Sequence, residues 1–117
     1  MVQFPKIIQG GMGVGVSNWR LANAVSKIGQ LGVVSGTALD QLFVRRLADG
    51  DEGGNMQRGL EAFPFPEMAR RIWNEYFVPG GKAPDEPYPN VPMHQRKDPR
   101  KLIELCMVSN FVEVFLA

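Results

Sequence analysis

Apolar positions in this chain follow two different rhythms. Near the amino terminus two short runs, Lys6–Gln9 and Gly32–Ser35, carry adjacent apolar residues over only four positions each, as short buried strands do. Elsewhere the spacing lengthens to three and four residues. Leu21, Ala22, Val25 and Ile28 share one face of a helix that follows Ser17, a good N-cap residue. That helix stops at Gly29, which supplies the left-handed C′ position, with Leu31 placed for the accompanying apolar contact. Thr37 and Asp40 resemble a capping box with Asp in place of Glu, and Leu39, Leu42, Phe43 and Leu47 form one apolar face up to Gly50. A short helix is predicted over 56–63. Another begins with Pro66 at its first position and runs to about Phe77, with Met68, Ile72 and Tyr76 four residues apart. Asp98 as N-cap and Pro99 as first helical residue open a last helix at Arg100, supported by Leu102, Ile103, Cys106 and Met107. Over 111–116, Phe, Val, Val and Phe alternate around Glu113, so local propensity favours a strand, with a helix continuing through Ser109 and Asn110 as the alternative.

The order strand, glycine turn, helix, strand makes one βαβ unit over Pro5–Gly36, whose crossover requires the two strands to be parallel. Ligands of such units sit at the carboxyl ends of the strands, here Gly10–Gly13 and Ser35-Gly36. Four glycines at 10, 11, 13 and 15 allow the backbone to approach a ligand without Cβ interference. Two stretches interrupt the periodicity. Asp49–Asn55 is a polar, glycine-containing break, and residues 79–97 hold five prolines in what reads as an extended surface loop. A connection this long after a second strand exceeds the two to six residues usual for a βα loop, which points to a functional or oligomer-contact insertion.

Composition narrows the class. The balance of apolar and charged residues is that of a globular chain, and a formal charge of +1 without a basic stripe gives no reason to expect nucleic acid. No apolar run approaches a bilayer span, and no export signal opens the chain. The single cysteine, Cys106, suits a reducing cytoplasm. Two strands cannot make a covered parallel sheet, and the chain stops on an apolar run, Val114–Ala117, without capping chemistry. The expectation is therefore the amino-terminal piece of a larger enzyme starting at Met1, with a small complete domain as the rival.

Ile7-Ile8-Gln9-Gly10-Gly11-Met12-Gly13 and Leu31-Gly32-Val33-Val34-Ser35-Gly36, at this spacing, resemble the amino-terminal signature of the nitronate monooxygenase family, formerly called 2-nitropropane dioxygenases. That family also includes FMN-dependent enoyl-acyl carrier protein reductases. The segment Leu39–His94, with Phe63-Pro64-Phe65-Pro66 and Pro79-Gly80-Gly81-Lys82-Ala83-Pro84, resembles the insertion of one subgroup. The resemblance implies an α/β fold, the amino-terminal part of a (β/α)8 TIM barrel with a mainly helical insertion after strand two. Its parts would be a first βαβ unit (1–37), a helical and proline-rich insertion (38–97) and a truncated second barrel helix (98–117). FMN is the implied cofactor, lined by Gly10, Gly11, Met12 and Gly13 and met by Ser35 and Gly36. The phosphate loops and the proton-abstracting histidine would lie beyond residue 117, so no catalytic residue is expected here. The resemblance also makes 111–117 helical.

The implied activity is that of a flavoprotein oxidoreductase, a monooxygenase oxidising alkyl nitronates with O2. The alternatives are an enoyl thioester reductase fed by a nicotinamide cofactor and a non-catalytic interaction module built on 37–97. The expected partner is a small-molecule substrate, with a homo-oligomer contact through the insertion and neither nucleic acid nor membrane.

Other motifs carry less. Neither Gly13-x-Gly15 nor Gly11-x-Gly13 completes G-x-G-x-x-G, since Asn18 and Val16 take the third position, which argues against a classical NAD site. Met12 packs on a flavin ring or fills a gap, the two readings being equally open. His94, the one histidine, stands in the proline-rich loop without a sequence-adjacent partner and reads as a surface residue. Cys106 reads as a small buried hydrophobe with no metal-ligand spacing around it. Asp49, Asp51 and Glu52 lack the ligand spacing of a calcium loop and read as a solvated turn. Trp19, Trp73 and Tyr76 read as core or interface. No metal site is expected.

Overall fold

The computed structural model describes residues 4–117, so the expected start at Met1 lies outside the described residues. Among the described residues five helices make up the fold: α1 (Trp19–Lys27), α2 (Leu39–Ala48), α3 (Asn55–Ala62), α4 (Pro66–Tyr76) and α5 (Arg100–Leu116), with a 3₁₀ turn at Glu52–Gly54 before α3. The helical periodicities thus give helices where the sequence predicts them. Residues 111–116 continue α5 and do not form a strand.

The two predicted strands do not form a sheet, and the partial TIM barrel is overturned. Among the described residues, strand pairing is reduced to a single parallel bridge between Ile8 and Leu31. Gln9 N–H donates to the Leu31 carbonyl (3.0 Å) and Leu31 N–H to the Ile7 carbonyl (3.1 Å). The seam is then closed by side chains. Gln9 donates through Nε2 to the Val33 carbonyl (3.0 Å) and accepts the Val33 N–H (3.3 Å), while Gln30 Oε1 accepts the N–H groups of Lys6 and Ile7. The physical reason is coverage. A parallel pair is stable when both faces are packed and further strands flank it, whereas among the described residues no further strand flanks this pair. Ile7 and Ile8, expected to be buried, are 61% and 66% exposed.

The core lies instead among α2, α3, α4 and α5. Phe43, Val44 and Leu47 of α2, Met56 and Leu60 of α3, Ile72 and Tyr76 of α4, and Leu105, Val108 and Val112 of α5 form one buried cluster. α3 crosses α5 at Gly59, where a Cβ would stand 2.5 Å from Val112 Cγ1, so only glycine permits that approach. The proline-rich loop is pinned to the end of α2: Lys82 N–H donates to the Ala48 carbonyl, and the Tyr88 hydroxyl bonds the Asp49 carboxylate at 2.9 Å.

One buried charge knits the helices together. Glu113 of α5 is 1% exposed and pairs with Arg46 of α2 at 2.5 Å. Its Oε1 also accepts the Trp19 N–H (2.7 Å) at the start of α1. α1 is further tied by Asn23 Nδ2, which donates to the Ala117 carbonyl (2.8 Å).

Three expected caps are placed differently. Asn18, not Ser17, caps α1, its Oδ1 accepting the Leu21 N–H. α2 starts after Ala38 in a left-handed conformation (φ 53°) with no side-chain cap, so the Thr37–Asp40 box does not form. Pro99 occupies the N-cap position of α5, and Asp98 turns back toward its own loop.

Candidate functional site

The residues predicted to face a flavin come together at the carboxyl ends of the two extended segments. Ser17 organises them. Its hydroxyl accepts the Met12 N–H (2.7 Å) and donates to the Gly10 carbonyl (3.1 Å), while its own N–H reaches the Met12 carbonyl (3.3 Å). Its carbonyl accepts the Ser35 N–H at 2.8 Å, so one 1%-exposed serine holds the glycine turn against the tip of the second segment. Ser35 is buried, its Oγ 3.4 Å from the Thr37 N–H it accepts, and Gly36 follows it on the surface. The sequence gives Ser17 only as a helix cap. Asn18 beside it was the one signal that the serine was free for another task.

The glycines of the turn divide into two sets. Gly15 has φ +71°, a conformation that favours glycine for its own sake. Gly10, Gly11 and Gly13 have no left-handed φ. A Cβ at Gly10 or Gly13 would meet nothing within 4 Å, and one at Gly11 would make ordinary contact with Val33 at 3.4 Å. The N–H groups of these three residues donate to no described residue. Neither conformation nor internal packing therefore requires glycine at 10 and 13. The turn presents bare backbone with free donors on an open surface, where residues 10–16 are all exposed and the Met12 side chain, half in solvent, plugs nothing.

Such a surface has what one face of a flat heteroaromatic ring needs: side-chain-free backbone and N–H donors at its edge. It forms one wall, not an enclosed cleft. A surface groove lies elsewhere, between α3 and α4 along Leu60, Ala69 and Trp73.

Several of the remaining residues weighed in the sequence have structural roles. Asp51 is buried and not a solvated turn residue: its two carboxylate oxygens accept the N–H groups of Met56 and Gln57, capping α3 at 2.9 Å each. Trp73 stacks on Phe77 with ring centroids 3.9 Å apart, and Tyr76 is buried in the core. Trp19 lies under the guanidinium of Arg20 at 4.4 Å. His94 is exposed, with Nδ1 3.2 Å from Asp98 Oδ2. The Gln95 N–H and then His94 hold the Asp98 carboxyl below the ordinary carboxylate range. Cys106 is half-buried, and burial, followed by the charges of Asp40 and Asp98, pushes its thiol upward. No helix among the described residues is long and apolar enough to cross a membrane. Compared with models of protein families, with curated proteins and with solved structures, the chain matches none.

Proposed function

We propose that this chain supplies one flavin-facing wall of a cytoplasmic FMN-dependent oxidoreductase of the nitronate monooxygenase type. The observation that carries the reading is the pair Gly10 and Gly13, glycines that neither the backbone nor the packing demands, beside unpaired N–H donors and next to Ser35-Gly36. A ring approaching the turn gives them a reason to lack side chains. FMN, when bound, supplies the two-electron acceptor. The residues of this chain contribute van der Waals contact from the glycine backbone, N–H donors toward the polar edge, and the fixed spacing set by Ser17. No general base stands in the turn, so removal of a substrate proton falls to groups outside it.

A single open wall gives weak affinity, because most of the ring would stay in water. Titrating the purified chain with FMN while recording amide resonances tests this. Saturable shifts confined to Gly10, Gly11, Gly13, Ser35 and Gly36, and abolished by Gly13→Val at unchanged Tm, are expected. Shifts elsewhere, or none at millimolar FMN, would refute the reading. Oxygen uptake with a nitronate, against NAD(P)H oxidation with an enoyl thioester, then separates a monooxygenase from a reductase in the protein in its native context.

A further inference from the structure

From the geometry we infer a metal site of the zinc class formed by Asp40, His94 and Cys106, a site independent of the flavin wall. These residues come from three parts of the chain, the first turn of α2, the proline-rich loop and the middle of α5. One ligand atom from each lies within 4.8 Å of the other two. Carboxylate, imidazole and thiol together are a borderline set that suits Zn2+ or Co2+; Mg2+ and Ca2+ prefer all-oxygen shells.

Two further features point to a cation. Asp40 is 6% exposed, yet no hydrogen bond or ion pair among the described residues uses its carboxylate. Because no sealed side-chain polar atom among the described residues lacks a partner, those oxygens must keep an edge to solvent. A carboxylate this buried is normally paired. The second feature is His94. Its Nδ1 lies 3.2 Å from Asp98 Oδ2, a carboxylate–histidine arrangement in which a proton held on Nδ1 would leave Nε2 to ligate the ion.

Donor atoms around a tetrahedral zinc ion sit about 3.5 Å apart, given bonds of about 2.0–2.3 Å. Closing the cluster thus takes a contraction of about 1 Å. The His94 side chain, 70% exposed on its loop, can move toward the ion, and rotation of the Asp40 and Cys106 side chains about their own torsions supplies the rest. As the metal–sulfur bond forms, the Cys106 thiol releases its proton to solvent. Two anionic ligands then neutralise the divalent ion, and a fourth position is left for water. The ion would fasten the 79–97 loop across α2 and α5.

The test uses the full chain, reduced and stripped of metal, titrated with Co2+. One ion per chain with a thiolate-to-cobalt charge-transfer band is expected, with the band lost in Cys106→Ser. Affinity should fall at least about tenfold in His94→Ala and in Asp40→Asn, and by a similar factor in Asp98→Asn. Zn2+ should also slow tryptic cleavage after Arg96 and Lys97. His94 is exposed, so His94→Ala reports on binding without threatening the fold. Absence of the band, a stoichiometry other than one, or His94→Ala binding as tightly as the parent would overturn the assignment.

Discussion

Glu113 offers the sharpest quantitative test of the fold. Its carboxylate, 2% exposed, meets Arg46, 22% exposed, at 2.5 Å, and also receives the Trp19 N–H, so one side chain joins α5, α2 and α1. Glu113→Gln keeps the shape and an acceptor for Trp19 but removes the counter-charge of Arg46. Arg46 keeps some access to water, so the cost should be that of a charged hydrogen bond, about 1.5–3 kcal/mol. Arg46→Ala is the harsher change. It leaves a sealed carboxylate with the Trp19 N–H as its remaining donor, which costs about 3–5 kcal/mol. With both charges removed, the double variant should lose at least ~1 kcal/mol less than the sum of the singles. A domain of this kind has only about 5–15 kcal/mol in total, so each effect moves the urea midpoint measurably. Urea unfolding followed by far-UV circular dichroism, with m-values compared, reads all four proteins. The reasoning fails if the two effects add to within ~0.5 kcal/mol, or if Arg46→Ala is the milder of the two.

Three further outcomes follow from local geometry. A Cβ at Gly32 would stand 2.1 Å from the Ala22 carbonyl oxygen, so Gly32→Ala should cost about 1–3 kcal/mol in urea unfolding, while Gly10→Ala changes stability by less than ~0.5 kcal/mol. Asp51→Ala removes the acceptor for the Met56 and Gln57 N–H groups and should lower stability by about 1–2 kcal/mol, with amide exchange rising first in α3. Burial and then Glu75 raise the Tyr76 phenol above its usual value, and the Asp49 hydrogen bond does the same for exposed Tyr88. Ultraviolet titration of the two tyrosines should therefore give midpoints above about 10, with Asp49→Asn bringing Tyr88 back down. Since the folded values exceed the unfolded ones, this contribution is full below about pH 10 and is lost as pH rises through the folded values.

Much of the local structure was legible without coordinates. The stripe Leu39, Leu42, Phe43, Leu47 and the signals Gly29 and Pro66 locate helices because periodicity and capping act within a few residues. The convergence of Gly10–Gly13 with Ser35-Gly36 was readable for the same reason, since a single helix joins them over a short connection. The adjacent isoleucines 7 and 8 misled: they look like strand, but a sheet exists only if neighbours cover it, and the apolar surface of α2–α5 is spent on a helical core. Local alternation at 111–116 misled in the same way, because burial of Val112 and Leu116 and the Glu113 pair favour helix over strand propensity.

What the sequence alone determines, then, is where the helices lie as far as residue 110 and where the chain leaves backbone bare. Only tertiary packing decides that Glu113 is a buried junction, that Asp51 is a cap, that Ser17 serves the turn, and that Asp40, His94 and Cys106 meet. The reason is range: caps and periodicities are set by neighbours a turn away, whereas charge pairing and ligand clusters depend on the register of helices packed from distant parts of the chain.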